Sequence, residues 1–153
     1  MKVIAVGNAF CGDDGVGSAV LARLAAGRPA DGSGPCELVD LGTDALALID
    51  QLDPGGRCVV IDAARMGLEP GQVAAFRPDE VRLRIRGDGL SLHGLGLADA
   101  FALAAKLGRM PADVLVIGVE PARVTPGTGL SDAAAAAVPR VVSLIQAEVL
   151  RHE

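Results

Sequence analysis

The chain has 153 residues, 50% of them hydrophobic and only 2% aromatic, with a formal net charge of -5. That length is one domain's worth, able to bury roughly two-thirds of its unfolded surface without disulfides. The acidic balance, with Lys2 and Lys106 as the only lysines and neither Trp nor Tyr, excludes a phosphate-backbone partner and base or sugar stacking on aromatic platforms.

The first apolar run, KVIAV, is rich in β-branched residues and stops at Gly7-Asn8, which predicts a strand. DDGVGSAVLARLAAG follows, with Val16, Val20 and Leu24 at helical spacing. CELVDL is expected to be a second strand, and TDALALIDQL a helix opened by Thr43 or Asp44 and closed by Pro54-Gly55-Gly56. RCVVIDA is a nearly continuous apolar run, the pattern of a strand buried on both faces, with Asp62 at its polar end. QVAAF suits an edge strand, whereas the charges of RPDEVRLRIRGDG follow no clean period, so that segment is expected to be a loop. GLGLADAFALAAKLG is expected to be a helix, DVLVIGVEP a further buried strand, and SDAAAAAVPRVVSLIQAEVLRHE a long helix capped by Ser131 and kinked or divided at Pro139. Strands alternating with helices predict a three-layer α/β/α sandwich around a mostly parallel sheet, as a single domain over residues 1–153 without linker or repeat.

No apolar stretch approaches the ~20 residues of a spanning helix, and no secretory h-region precedes the first turn. The expected protein is therefore cytoplasmic, with no membrane and no nucleic acid as partner. Cys11, Cys36 and Cys58 are odd in number and widely spaced, which fits reduced thiols.

In open α/β sheets functional groups collect where the loops leave the carboxyl ends of the strands. That rule selects Asp13 and Asp14 after the first strand, Asp62 at the end of the third, His93 ahead of a helix, and Glu120 after the last strand. Oxygen and nitrogen donors without a required thiolate suit a borderline divalent cation such as nickel, zinc or manganese, and three protein ligands leave a coordination position open. Each residue also has a plainer reading. Asp13 suits a cap or a supporting group better than a ligand, Asp62 and His93 taken singly are compatible with ordinary structural hydrogen bonding, and Glu120 either lines a groove or anchors the loop PARVTPGTG. A nucleotide site fits poorly, because VGNAFCGDDG lacks G-x-G-x-x-G and puts acids where a pyrophosphate would lie. Nor is there a G-x-S-x-G of a serine hydrolase. Cys11 is expected to be a small buried side chain; the competing reading makes it a nucleophile with His93 as base. Cys36 and Cys58 are expected in the core and His152 in a solvated tail.

VGNAFCGDDGVG, VVIDA, EPGQVAAFRPDEV, SLHGLGLADAFALAAKLG and VIGVEPARVTPGTGLS resemble, in order, the blocks of the hydrogenase maturation proteases. The resemblance implies a twisted sheet of about five strands and an endopeptidase that removes a C-terminal peptide from the large-subunit precursor of a [NiFe]-hydrogenase. It implies that an acidic residue, an aspartate and a histidine contact nickel, and these fall on Asp14, where many relatives carry Glu, Asp62 and His93. The nickel would come seated in the precursor, leaving the protease metal-free at rest, and Asp14 or Asp62 would steer the attacking water. The segments RPDEVRLRIRGDG and PARVTPGTG would grip an extended tail. The same residues would also serve a metal-sensing chaperone that binds the precursor without cutting it.

Overall fold

The computed structural model describes residues 1–88 and 95–152. Their order is β1 (Lys2–Ala5), a 3-10 turn (Gly12–Gly15), α1 (Val16–Ala26), β2 (Glu37–Asp40), α2 (Ala45–Gln51), β3 (Arg57–Arg65) and β4 (Val73–Phe76). A second 3-10 turn (Pro78–Glu80), α3 (Val81–Arg84), β5 (Gly87–Asp88), α4 (Leu97–Lys106), β6 (Asp113–Val119) and α5 (Asp132–Arg151) complete it. The strands form one sheet in the order β2-β1-β3-β6-β4, with β5 paired to β3. β2, β1, β3 and β6 run parallel; β4 is antiparallel to β6, and β5 to β3.

Alternation along each strand divides the core into two layers. Ile4, Val60 and Val116 face α2 and α4, where Leu48, Leu97, Phe101 and Ala104 pack on them. Val3, Val59, Ile61 and Ile117 face α1 and α5, where Val16, Val20, Ala137, Val141 and Ile145 cover the other side. Both faces of the central strands are thus dry, which is why VVI shows no period-two polarity. The small side chains bring α1 close to the sheet: a Cβ on Gly17 would stand 3.0 Å from the Ala5 Cβ and 3.3 Å from the Ile61 carbonyl oxygen.

The expected sandwich is observed, with a sixth, two-residue strand added to the five expected. The segment expected as a loop over 77–89 carries a 3-10 turn, α3 and β5 instead. Its only buried apolar anchor in α3 is Val81, and β5 exists because β3 runs on past Asp62 to Arg65 and pairs Ala64 with Asp88. These are tertiary contacts that a periodicity cannot show. The helices open as predicted where a cap is present: the Asp44 carboxylate accepts from the Leu46 and Ala47 N–H groups, and the Ser131 hydroxyl from the Ala134 N–H. α5 runs unbroken through Pro139 rather than dividing there. It also corrects the expectation about apolar length, since its 20 residues are long and apolar enough to cross a membrane by length and composition alone. Its apolar face is nevertheless the one that covers β3 and β6, as in a core helix.

Candidate functional site

The loop between β1 and α1 is built around one glycine. Gly7 has φ +127°, and a Cβ there would overlap the Asp14 carbonyl oxygen and stand 3.1 Å from Asp14 Oδ1. The missing side chain lets the 3-10 turn fold back onto the end of β1. Asp14 Oδ2 then accepts from the Asn8 N–H at 2.6 Å, a charge-assisted bond that orients the carboxylate. Asp14 is 2% exposed.

Asp62 is 0% exposed and lies within β3, between Ile61, the last residue paired with β1, and Ala64, the first paired with β5. The 3-10 turn that carries Asp14 packs against β3. The Val6 N–H donates to the Ile61 carbonyl at 3.1 Å, so the peptide next to Asp62 is bonded to the residue before Gly7. Asp14 and Asp62 therefore share one sheet edge. His93 lies outside the described residues. Its described flanks are joined: the Leu97 N–H, at the start of α4, donates to Asp88 Oδ2 at 3.1 Å. Among the described residues no three His, Cys, Asp or Glu side chains are grouped to hold a metal ion.

Asp13 has a different role from its neighbour. Its Oδ1 accepts from the Ser131 N–H at 2.6 Å, and its Oδ2 from the Ser131 hydroxyl at 2.7 Å, the Ala122 N–H at 2.7 Å and the Arg123 N–H at 3.2 Å. Burial works to raise its pKa, but the bonds from Ser131, Ala122 and Arg123 outweigh it and hold the carboxyl below its ordinary value of 3.8. Asp13 thus ties residues 122–131 and the start of α5 to the turn that carries Asp14. Glu120 anchors a loop, though not PARVTPGTG: its Oε1 accepts from the Met66 and Leu68 N–H groups at 2.7 and 2.9 Å, holding the chain that leaves β3.

Sequence reasoning missed two contributors. Asp88 is buried and accepts from the first N–H of α4, nine residues further along the chain, inside a charged run whose period revealed nothing. Met66 covers Gly118, the register partner of Asp62: a Cβ on Gly118 would stand 2.8 Å from Met66 Sδ. The sequence signal available for Met66 was its place four residues after Asp62, the polar end of the buried run.

The cysteines divide by environment. Cys58 is in the core, and burial pushes its thiol up to about 12. Cys11 and Cys36 are half-buried rather than core residues; the backbone of Cys11 bridges Pro126 and Thr128, and Arg28 Nη2 donates to Cys36 Sγ at 3.4 Å. Iodoacetamide at pH 8 is expected to modify the folded protein at Cys11 and Cys36 and to spare Cys58 until denaturant is added; peptide mass mapping checks this, and labelling of native Cys58 would contradict its burial. His152 Nε2 stands 3.5 Å from Asp113 Oδ2, so the tail expected to be merely solvated approaches the start of β6.

Comparison with known proteins places this geometry in context. A family model described as hydrogenase maturation protease matches residues 22–148. The hydrogenase expression/formation protein HupD of Thiocapsa roseopersicina is 37% identical over 119 residues, 78% of this chain and 53% of that protein. HoxM of Azotobacter vinelandii is 34% identical over 120 residues, 78% of this chain and 56% of its own. The chain thus spans just over half the length of these curated relatives. Among solved structures, the hydrogenase maturating endopeptidase HybD from E. coli shares the fold with a TM-score of 0.79 at 23% identity, covering 99% of this chain and 94% of that one. The [NiFe] hydrogenase maturation protease HybD from Thermococcus kodakarensis aligns with a TM-score of 0.69 at 26% identity, covering 97% and 99%.

Proposed function

The chain belongs to the hydrogenase maturation protease family, and from that premise we propose that it is an endopeptidase that removes a C-terminal peptide from the nickel-loaded large-subunit precursor of a [NiFe]-hydrogenase. The observation that carries this reading is the pair of buried carboxylates, Asp14 and Asp62, on one sheet edge. A visiting cation adds favourable charge to carboxylates that burial has taken out of water. Nickel seated in the precursor is such a cation, and it arrives as part of the substrate. His93 supplies the third contact, and nitrogen and oxygen donors together suit nickel.

In this reading Asp14, already oriented by the Asn8 N–H, and Asp62 bind the metal only when the precursor carries it, so loading is read before the chain is cut. The metal, when present, would supply Lewis-acid polarisation of the scissile carbonyl, and Asp14 or Asp62 would orient the attacking water. The protein would act in the cytoplasm.

The test is incubation of the purified protein with nickel-loaded and nickel-free precursor, followed by mass measurement of the large subunit. Loss of a C-terminal peptide from the loaded form alone is the expected result, with His93→Ala slowing it at least about 100-fold. Equal trimming of both forms sinks nickel recognition, and binding without mass loss makes the protein a chaperone. Cys11→Ser is expected to process at the wild-type rate, because Cys11 stands outside the proposed contacts; a loss of about 100-fold would install the thiol as nucleophile.

A further inference from the structure

The sheet ends on β4, and its outer edge is unlike the rest of the surface. The Gly71 N–H donates to the Glu120 carbonyl at 2.8 Å, and the Glu120 N–H to the Gln72 carbonyl at 2.9 Å. Gly71 and Gln72 together face Glu120 as a bulge, in which the Gln72 carbonyl turns toward β6 while its N–H donates to the Glu69 carbonyl at 3.0 Å. Alternation in an antiparallel ladder makes Ala74 with Gly118 and Phe76 with Val116 the next bonded pairs. The N–H and C=O groups of Val73 and Ala75 therefore point outward, along an edge with no strand beside it among the described residues. Natural edges are usually guarded by a lysine, a proline or an inward charge, and VAAF has none of these.

A groove of about 980 Å³ follows this edge. Leu68, Val73, Ala74 and Leu144 make it apolar, and Arg84 and Arg140 stand in its walls. The two arginines come from opposite layers, Arg84 from α3 and Arg140 from α5. Arg84 lies over the Phe76 ring, 5.2 Å from its centroid, with Glu80 Oε2 3.6 Å from its Nη1; Arg140 donates to the Gly71 carbonyl. No carboxylate lines the groove, although the chain as a whole is acidic.

Resting on the processing reading above, we propose that the outer edge of β4 takes up the precursor's C-terminal tail as an added strand, with an acidic group of the tail between Arg84 and Arg140. Main-chain bonds to Val73 and Ala75 hold the tail, and the guanidiniums select its charge. A second copy of this chain is a poor occupant, because pairing two β4 edges would bring four guanidiniums together with only a Glu80 carboxylate beside each Arg84 to offset them. The register also sets a distance. Asp62, Gly118 and Ala74 are successive partners across the sheet, so a strand added beyond Ala74 lies roughly 14 Å from Asp62. About four extended residues bridge that gap, which puts the gripped part of the tail at least that far from the bond cut.

Ala75→Pro removes an outward N–H without removing a bond to β6. It is expected to raise KM for loaded precursor at least tenfold with kcat changed less than twofold, and Arg84→Glu to do the same, while Arg84→Lys stays near wild type. A readout independent of cleavage is amide exchange in the wild-type protein. A synthetic peptide matching the precursor's C-terminal extension should slow exchange at Val73 and Ala75 at least tenfold and leave Ala74 unchanged. An unaltered KM in both variants with unprotected amides overturns the docking proposal and leaves the processing reading standing. Protection without any cleavage of loaded precursor does the reverse. Sedimentation as a dimer that Ala75→Pro converts to monomer assigns the edge to a second copy, and also overturns the proposal.

Discussion

Gly7→Ala is expected to cost at least about 3 kcal/mol of stability and to abolish precursor processing. Two terms act together. A left-handed φ costs a non-glycine residue about 1–3 kcal/mol, and the added Cβ overlaps the Asp14 carbonyl oxygen, a backbone atom that cannot rotate away. Relief requires the 3-10 turn to lift from the end of β1, which carries the Asp14 carboxylate off the Asn8 N–H. Urea unfolding measures the first effect and the mass assay the second. Gly55→Ala is the control, since it also has positive φ (+78°) but meets nothing within 4 Å; it should lose only the conformational part and keep activity. Equal losses in the two variants would mean that the close approach at Gly7 has no role.

Asp13→Asn is expected to lose about 4 kcal/mol, a large share of the 5–15 kcal/mol of a typical domain. The carboxylate accepts from Ser131, Ala122 and Arg123, all donors. An amide in its place offers one oxygen and sets an N–H against other N–H groups. The effect depends on pH in a definite direction. The folded-state pKa of Asp13 is held below 3.8, so the native state binds fewer protons than the unfolded chain in that window. Its contribution is complete above the unfolded value and is lost as pH falls from 3.8 through the lower folded pKa. Unfolding free energies followed from about pH 5 to pH 3 should therefore fall less steeply in Asp13→Asn than in wild type. Parallel slopes would show that Asp13 is not a source of the acid sensitivity. Because Asp13 tethers residues 122–131 to the turn bearing Asp14, the variant should also process more slowly.

Much of the architecture was legible because it follows from backbone chemistry that acts locally. The β-branched run ending at Gly7 became β1 and the apolar run reaching Asp62 became β3, the caps Asp44 and Ser131 started their helices, and QVAAF became an edge strand. What was not legible depended on partners far along the chain. β5 needs Ala64 and Arg65 extended beside it, α3 needs the core pocket that Val81 fills, and Glu120 turned to the Met66 and Leu68 amides instead of its own loop. Pro139 left α5 whole, since packing on α1 and the sheet supports the helix where local propensity alone would break it.

The amino-acid sequence by itself determined the layer order, the buried character of the central strands and which loop would carry the acids, because period, branching and glycine placement act within a few residues. It favoured Asp13 over Asp14 for a supporting role, but left open what each of these adjacent, identical side chains would bond. The tertiary structure decided that: a 3-10 turn points neighbouring side chains in different directions, so Asp13 meets the donors of residues 122–131 while Asp14 turns to Asn8 beside Gly7 and β3. Which carboxylate ties the loops together, and which turns back to the Asn8 N–H at the end of β1, is a matter of direction in space, and direction is set only when the turn, the strands and the start of α5 close on one another.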